Sequence, residues 1–207
     1  MKQDELQQLY AGEEYYWGTE PNEFARLVAD RAGGLTGVGE LRVVDLGCGE
    51  GRDAVFFADR GMRVLAVDAV PNALEKVRRF ARARSVAVET VLADVNDLRL
   101  AGGFELVYST GAVQYLRPEN RERQFARLRE ATGPGGMHAL LTFVDHPEVP
   151  AAPDWGENEF FYEPGELPGY YPGWEVLHAR GFTFEDNSGG VPHRHAAEEY
   201  ILRAGDR

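Results

Sequence analysis

The sequence predicts a doubly wound α/β fold, with a seven-stranded, mostly parallel sheet that ends in an antiparallel hairpin. Short apolar runs, such as Leu41–Asp45 and Met62–Asp68, are typical of strands buried on both faces of a parallel sheet. Strands and helical patterns alternate through five rounds, which favours an open sheet with right-handed crossovers. The last two strand-like runs have no helix between them, which favours the antiparallel hairpin.

The remaining elements follow in order along the chain. A helix is predicted over residues 70–83, where apolar residues recur at helical spacing and Pro71 stands near the start. Another helix is predicted to begin near Pro118 and to stop at Gly133 and Pro134. Further strands are predicted at Val86–Asp94, Phe104–Thr110 and Gly136–Val144, and the closing hairpin within 174–186 and 197–205.

The composition limits what the chain binds and where it acts. At 207 residues the chain is long enough for one domain with a full core, so residues 1–207 are expected to form a single domain. The net charge of -12 argues against nucleic acid and anionic membranes as partners, because phosphate binding needs a basic surface. One cysteine, a polar N-terminal stretch and the lack of a run of roughly 20 apolar residues favour the cytoplasm. The expected partner is a small molecule, and the expected state is a monomer or homodimer.

Three spaced glycines follow the first predicted strand. Asp45 precedes them, and Gly47, Gly49 and Gly51 complete the pattern D-x-G-x-G-x-G. Ligands of open α/β sheets bind at this end of the strands, where glycine allows positive φ and a close approach to the backbone. A dinucleotide site has the pattern G-x-G-x-x-G. Arg52 stands where its third glycine would be, which disfavours a nicotinamide oxidoreductase.

Two further strands also end on acids. Asp68 lies about 20 residues after the first glycine, where an acid binds ribose hydroxyls. Asp94 follows the third strand and is positioned to accept a hydrogen bond from an adenine amine. Together with Asp45, these acids favour an adenosyl ligand that carries positive charge, such as a sulfonium with an ammonium group. Cys48 is interpreted as a small residue in a tight turn rather than a nucleophile.

The stretch VVDLGCGEGRDAVFFADRG (43–61) resembles the first motif of the class I S-adenosylmethionine-dependent methyltransferases, which have a Rossmann-like fold. The resemblance implies S-adenosylmethionine as the cofactor and S-adenosylhomocysteine as the product. The positions that it implies are Asp45, Gly47, Gly49 and Gly51 at the methionine part, Asp68 at the ribose, Asp94 and Val95 at the adenine, and Ser109 or Thr110 near the transferred methyl group.

Two segments outside the motif are expected to cover the cofactor. Tyr16 and its aromatic neighbours in YYWG (15–18) lie upstream of the first strand and either fold over the cofactor or pack with an N-terminal helix. The segment 145–169 is rich in proline, glycine, acid and aromatic residues, and it is too long for an ordinary connection, which favours a lid or binding loop. Arg52, at a helix N-terminus, is expected to pair with the cofactor carboxylate or with a surface acid.

Within the superfamily the chain is similar to the TehB-type tellurite-resistance methyltransferases. The similarity rests on YYWG (15–18), on FFYEPGELPGYYPGWEVL (160–177), and on the pair His193 and Arg194, where that family carries its substrate-handling residues. The family's additional arginine after this pair has no match here, since Ile201 and Leu202 occupy the region.

The resemblance implies catalytic roles for His193 and Arg194. Arg194 would supply a cationic fork for an oxyanion, and His193 a second donor or a general base, although a polar turn before the last strand is an equally good interpretation of both. His193 and His195 also suggest metal ligation, but no acid or cysteine stands at a suitable spacing. No metal site is therefore predicted.

The leading hypothesis is a methyltransferase that acts on a small molecule, such as a tellurite- or selenite-type oxyanion or a thiol. A soft nucleophile of this kind reacts without strong base catalysis, so that the site needs positioning and anion binding more than a base. The alternatives are a methyltransferase for an organic metabolite and a non-catalytic module that binds S-adenosylmethionine.

Overall fold

Seven strands and five α-helices make up the regular structure of residues 3–33, 41–150, 152, 155–187 and 190–205, which a computed structural model describes. The strands are β1 (Arg42–Leu46), β2 (Arg63–Asp68), β3 (Val88–Leu92), β4 (Phe104–Thr110), β5 (Thr132–Phe143), β6 (Glu175–Asp186) and β7 (His193–Arg203). The helices are α1 (Gln3–Leu9), α2 (Glu23–Ala32), α3 (Arg52–Asp59), α4 (Pro71–Arg84) and α5 (Pro118–Ala131). Two short 3₁₀ turns, Val113–Tyr115 and Leu167–Tyr170, lie in the connections.

All seven strands join one sheet in the order β3-β2-β1-β4-β5-β7-β6. The first five strands pair in parallel, whereas β7 pairs antiparallel with both β5 and β6. The strand order reverses between β1 and β4, which is where ligands bind in doubly wound sheets. The prediction of a mostly parallel seven-stranded sheet with an antiparallel C-terminal hairpin is confirmed.

Successive residues of the central strands face opposite layers of the core. Val43 is fully buried with Phe24 of α2 and Phe57 of α3, on one side of the sheet. Val44 is fully buried with Phe125 of α5 on the other side. Because both faces of β1 are covered, the consecutive residues Val43 and Val44 are both apolar, and apolar and polar residues do not alternate.

The helices begin where the sequence offers a cap or a proline. The Asn22 side chain accepts a hydrogen bond from the Phe24 amide and so caps α2, while Pro71 and Pro118 open α4 and α5. With 14 residues each, α4 and α5 are the longest helices of the described chain, and none of its helices has the length and apolar character needed to cross a membrane.

The starts of β5 and β7 differ from the predicted ones by more than two residues. Gly133 and Pro134 do not form a separate helix stop, because β5 begins at Thr132 directly after α5, and the register against β4 shifts over the glycine-rich start of the strand. Strand β7 begins at His193, four residues before the predicted run, because the end of β6 is long enough to pair with it.

Candidate active site

A cavity of about 1170 Å³ opens at the carboxyl ends of β1, β2 and β4. It is bounded on one side by the residues expected to bind a cofactor and on the other by the β6–β7 hairpin and residues 155–160. The predicted cofactor residues that line it are Asp45, Gly47, Gly49, Arg52, Asp68, Asp94, Val95 and Thr110.

The glycine loop needs its glycines for two different physical reasons. Gly47, Gly49 and Gly51 all have positive φ, at 66°, 52° and 92°. A Cβ atom on Gly47 would lie 2.1 Å from the Cβ of Ala112, and one on Gly51 would lie 2.8 Å from Val77 Cγ2. A Cβ on Gly49 would meet nothing closer than 3.7 Å. Gly47 and Gly51 are therefore needed both because their φ is positive and because a side chain would collide with Ala112 or Val77. Gly49 is needed for its φ, and it leaves the backbone open to the cavity.

Asp68 organises the loop through its side chain. Its Oδ2 accepts a hydrogen bond of 2.8 Å from the Gly49 amide, and its Oδ1 accepts one of 2.9 Å from the Val70 amide. Burial raises the pKa of this carboxyl above its ordinary value, while the backbone hydrogen bonds oppose the shift. Each carboxylate oxygen has a second lone pair, so that Asp68 can also accept bonds from a ligand.

Asp45 is a deeply buried acid that lines the cavity. Only 2% of the residue is exposed, and no partner donates a hydrogen bond to Oδ2 in the described part of the chain. Burial, followed by the nearby Asp53 and Asp68 charges, raises its pKa well above the ordinary range. Such a carboxylate favours a cationic partner in the cavity.

Asp94 lies at the rim and forms a turn at the end of β3. Its Oδ1 accepts bonds from both the backbone amide and the side-chain Nδ2 of Asn96, at 2.8 and 2.9 Å. Asn96 Nδ2 also donates to the Tyr115 carbonyl. The turn holds Asp94 and Val95 at the cavity wall.

An N-terminal arm closes one side of the cavity. Trp17 donates from its indole to the Tyr10 hydroxyl at 2.8 Å, and its backbone amide donates to Glu50 Oε2 at 3.0 Å. Glu50 Oε1 forms a buried ion pair with Lys76 Nζ at 2.6 Å, and Lys76 also donates to the Glu14 carbonyl. The arm is thereby attached to the glycine loop and to α4.

Asp53, which the sequence analysis did not select, joins three elements at the same wall. It accepts bonds from the Asn22 amide at 2.8 Å and from the Tyr108 hydroxyl at 3.0 Å. Its Oδ2 lies 3.8 Å from Arg52 Nε. Asp53 follows the glycine loop in a helix, and no local spacing signals that its partners come from residues 22 and 108.

Residues 155–160 cover the opposite side. Trp155 stacks on Phe161 with ring centres 3.8 Å apart, and the Phe160 amide donates to the Gln114 carbonyl at 2.8 Å. Arg121 of α5, almost fully buried, donates to the carbonyls of both Phe160 and Phe161. Within the segment 145–169, residues 155–160 therefore form one wall of the cavity.

Aromatic side chains surround the part of the cavity that faces this wall. Phe143 of β5 stacks on the His195 ring with the ring centres 4.8 Å apart, and the ring centre of Phe184 lies 5.4 Å from that of His195. Trp155, in the wall formed by residues 155–160, has its ring centre 6.5 Å from that of His195. This end of the cavity is shaped to hold an apolar or aromatic body beside a polar histidine edge.

The hairpin separates the predicted pair His193 and Arg194. Because side chains alternate along a strand, Arg194 points to the other face of β7, where it bonds Thr183 Oγ1 at 2.9 Å and pairs with Glu185 at 3.3 Å. His193 instead faces His195, with their Nε2 atoms 2.9 Å apart. The structure thus does not bring the Arg194 guanidinium into the cavity.

Three other predicted residues do not line the cavity. Ser109 is fully buried and donates to the Leu46 carbonyl at 2.9 Å, which leaves Thr110 as the residue of that pair at the cavity. Tyr16 is 38% exposed and contacts Trp17 edge-on, and Trp17 is the aromatic residue of YYWG (15–18) that lines the cavity. Gly51 packs against α4 behind the loop.

Cys48 is buried, and burial raises the pKa of its thiol well above the ordinary value. The nearby Asp68 and Asp45 charges act in the same direction. A thiol in this environment stays protonated, which agrees with its interpretation as a small residue of the turn.

Comparison with known proteins agrees with this geometry. Residues 43–136, which carry the glycine loop and all three strand-end acids, match the family described as a methyltransferase domain. The chain is 27% identical over 140 residues to hemagglutinin 1 of Eikenella corrodens, covering 68% of this chain and 46% of that protein. It is 24% identical over 140 residues to a probable S-adenosyl-L-methionine-dependent methyltransferase TehB of Haemophilus influenzae, covering 68% and 48%. The chain thus spans about half the length of these curated relatives.

Among solved structures, TehB from Haemophilus influenzae shares the fold with a TM-score of 0.78 at 21% identity, covering 91% of this chain and 64% of that one. The sequence match over residues 43–136 and the shared fold make this chain similar to the S-adenosylmethionine-dependent methyltransferases. The resemblance to the TehB-type proteins within that class is likewise confirmed.

Proposed function

We propose that the protein transfers a methyl group from S-adenosylmethionine to a small organic molecule. The observation that carries the proposal is one cavity with two different ends: an acidic end beside the glycine loop and an aromatic end beside the hairpin. The matched methyltransferase domain and the name of the TehB relative support the cofactor. Residues 1–207 would act as one domain, since all described strands join a single sheet.

The acidic end suits each part of the cofactor. Asp45 would face the ammonium and sulfonium charges, with Gly49 leaving room for the methionine part beside the backbone. Asp68 would accept bonds from the ribose hydroxyls, and Asp94 with Val95 would flank the adenine. Arg52, which donates to the Trp17 carbonyl at 3.2 Å, is placed to reach the cofactor carboxylate.

The transfer is an in-line displacement. The acceptor atom donates an electron pair to the methyl carbon while the carbon–sulfur pair returns to sulfur, which gives S-adenosylhomocysteine. The protein must hold the acceptor about 3 to 3.5 Å from the methyl carbon and keep water out. The arm of Trp17 and the wall at Trp155 would provide that enclosure.

The aromatic end favours an organic acceptor, thiols included, over a bare tellurium or selenium oxyanion. An oxyanion needs fixed cationic donors, and Arg194, the residue to which the resemblance gives this role, bonds Thr183 and Glu185 on the other face of the hairpin. Ile201 and Leu202, both buried, occupy the region of the second family arginine. Phe143 and Phe184 instead offer apolar area next to His195.

Arg194→Ala tests the choice of acceptor class. We expect kcat/KM for an organic acceptor to change by less than about twofold, because an exposed side chain away from the site contributes little. Steady-state kinetics with labelled cofactor would measure it. A loss of tenfold or more, together with turnover of tellurite, would restore the oxyanion hypothesis.

Asp68→Ala tests the cofactor site. We expect S-adenosylhomocysteine to bind on the order of 10- to 100-fold more weakly, since the ribose loses hydrogen bonds to a charged acceptor worth about 1.5 to 3 kcal/mol. Titration calorimetry gives the affinity, with Asp97→Asn, which removes an exposed acid outside the cavity, as the control. Unchanged affinity in Asp68→Ala would refute this placement of the ribose.

Calorimetry on the unaltered protein comes first. Binding of S-adenosylmethionine and S-adenosylhomocysteine without NADH supports the proposal, and binding of NADH alone contradicts it. A panel of thiols, aromatic and heteroaromatic metabolites, tellurite and selenite then identifies the acceptor. Cofactor binding without transfer to any of these would favour a non-catalytic binding module.

A further inference from the structure

Three side chains with metal-binding donor atoms, Asp186, His193 and His195, lie together at the aromatic end of the cavity. Asp186, the last residue of β6, is directly opposite His193, the first residue of β7. His195 follows two residues later and therefore projects from the same face. The exposed fractions of the three side chains are 29% for Asp186 and 6% for each histidine. Two strands of the hairpin thus bring one carboxylate and two imidazoles together at a largely buried position.

Three atoms of these side chains form a compact triangle. The Nε2 atoms of His193 and His195 are 2.9 Å apart, and Asp186 Oδ2 lies 3.8 Å from the first and 3.5 Å from the second. The point equidistant from corners with these separations lies about 2.0 Å from each, which matches the 2.0 to 2.2 Å of zinc bonds to imidazole nitrogen and carboxylate oxygen. The three atoms are therefore close enough together to share one ion.

The surrounding hydrogen bonds orient the donor atoms inward. The Nδ1 atom of His193 lies 2.7 Å from the Val191 carbonyl, so it carries the proton and leaves the Nε2 lone pair for the cluster. Asp186 Oδ1 accepts a bond of 2.7 Å from the Asn187 amide, which turns Oδ2 toward the imidazoles. Outer bonds of this kind, from a ring nitrogen to a carbonyl and onto the ligating carboxylate, are typical of metal sites.

We propose that Asp186, His193 and His195 bind a divalent transition-metal ion. Two imidazole nitrogens favour zinc, iron, cobalt or nickel over magnesium and calcium, which prefer oxygen ligands throughout. Three protein ligands leave at least one coordination position for another molecule, as in catalytic rather than structural sites. Asp186 and His195 line the cavity, so that this position faces the acceptor.

The role of the ion toward the acceptor rests on the proposed methyl transfer, whereas the site itself does not. A cation at this position lowers the pKa of a thiol or hydroxyl that it binds, and the proton released on binding passes to the solvent. The acceptor is then held as the anion that attacks the methyl carbon. The aromatic rings around His195 would position its organic body.

Cobalt titration tests the site with a readout other than activity. The full chain, first treated with a chelator, is titrated with Co²⁺ while visible absorbance is recorded, because bound Co²⁺ gives absorption bands that report its ligands. We expect saturation at one equivalent. Asp186→Asn and His195→Gln should weaken binding on the order of 100-fold, since even outer-sphere changes cost 10- to 100-fold. His146→Gln, which removes a histidine from a loop outside the cavity, should bind as the unaltered chain does.

Calorimetry with S-adenosylhomocysteine on the same samples separates the two proposals. Cofactor binding with no uptake of Co²⁺ overturns the metal site alone, and the three side chains are then a hydrogen-bonded group. Uptake of Co²⁺ without cofactor binding overturns the proposed function alone. Equal uptake by the unaltered chain and by Asp186→Asn also overturns the site, and because Asp186 is partly exposed this variant tests it even if His195→Gln does not fold.

Discussion

Replacing Glu50 by glutamine is expected to destabilise the protein by about 3 to 5 kcal/mol, the cost of removing one partner of a buried ion pair. Glu50 and Lys76 side chains are 1% and 5% exposed, and their charged atoms are 2.6 Å apart. The variant leaves the Lys76 ammonium buried without a counter-charge at that distance. Urea unfolding followed by circular dichroism measures the change in the free energy of unfolding.

A matched pair at the surface provides the control. Arg203 and Glu175 also approach to 2.6 Å, but their side chains are 46% and 58% exposed. Glu175→Gln should therefore change stability by no more than about 1 kcal/mol. If Glu50→Gln and Glu175→Gln lowered the free energy of unfolding equally, burial of the Glu50–Lys76 pair would not be the cause of the destabilisation.

A double variant tests whether the loss comes from the unpaired charge. Lys76→Met alone leaves Glu50 buried and unpaired, and should cost as much as Glu50→Gln. Combining the two should cost less than the sum of the single changes, with a coupling of about 1 to 3 kcal/mol. Since Glu50 also accepts the Trp17 amide, the single variants should bind cofactor more weakly through a loosened N-terminal arm.

The first half of the sheet and its acids could be predicted because their signals are local. Strands buried on both faces produce apolar runs, and in a parallel sheet Asp45 and Asp68 lie near the carboxyl ends of neighbouring strands, at the same edge. The glycine spacing between them is read directly from the sequence. What the spacing could not reveal is that Gly47 is fixed by Ala112 and Gly51 by Val77, since these contacts join distant segments.

The acceptor end could be predicted only in part, because its residues meet through strand pairing. His193 and His195 were visible in the sequence, but Asp186 joins them across the β6–β7 hairpin and not at a local spacing. The start of β7 at His193, earlier than predicted, also places Arg194 on the opposite face. Because the pair lies inside the strand and not in a turn before it, its two side chains point to opposite faces of the sheet.

Replacing Asp45 by asparagine is expected to stabilise the cofactor-free protein and to weaken cofactor binding. The Asp45 carboxylate is buried, receives no hydrogen bond at Oδ2 from the residues that the structure describes, and lies near Asp53 and Asp68. Asparagine removes that charge and offers donors to the neighbouring acids, so the free energy of unfolding should rise by about 1 to 3 kcal/mol. S-adenosylmethionine should bind on the order of 10- to 100-fold more weakly, because its positive charge loses a partner. Asp97→Asn, at an exposed position, serves as the control for removal of a charge.

The stabilisation from Asp45→Asn should depend on pH in one direction. The pKa of Asp45 is raised in the folded state, so the folded protein holds the proton more tightly than the unfolded chain does. The buried Asp45 charge lowers the free energy of unfolding. This destabilisation is absent below the unfolded pKa of about 3.9 and grows as the pH rises toward the folded pKa. Urea unfolding at pH 5 and pH 8 should therefore show the larger gain at pH 8. Calorimetry should show that the unaltered protein loses affinity for S-adenosylmethionine as the pH falls through the same window, more steeply than the variant does. An equal gain at both pH values would mean that Asp45 is not the buried charge that the cofactor neutralises.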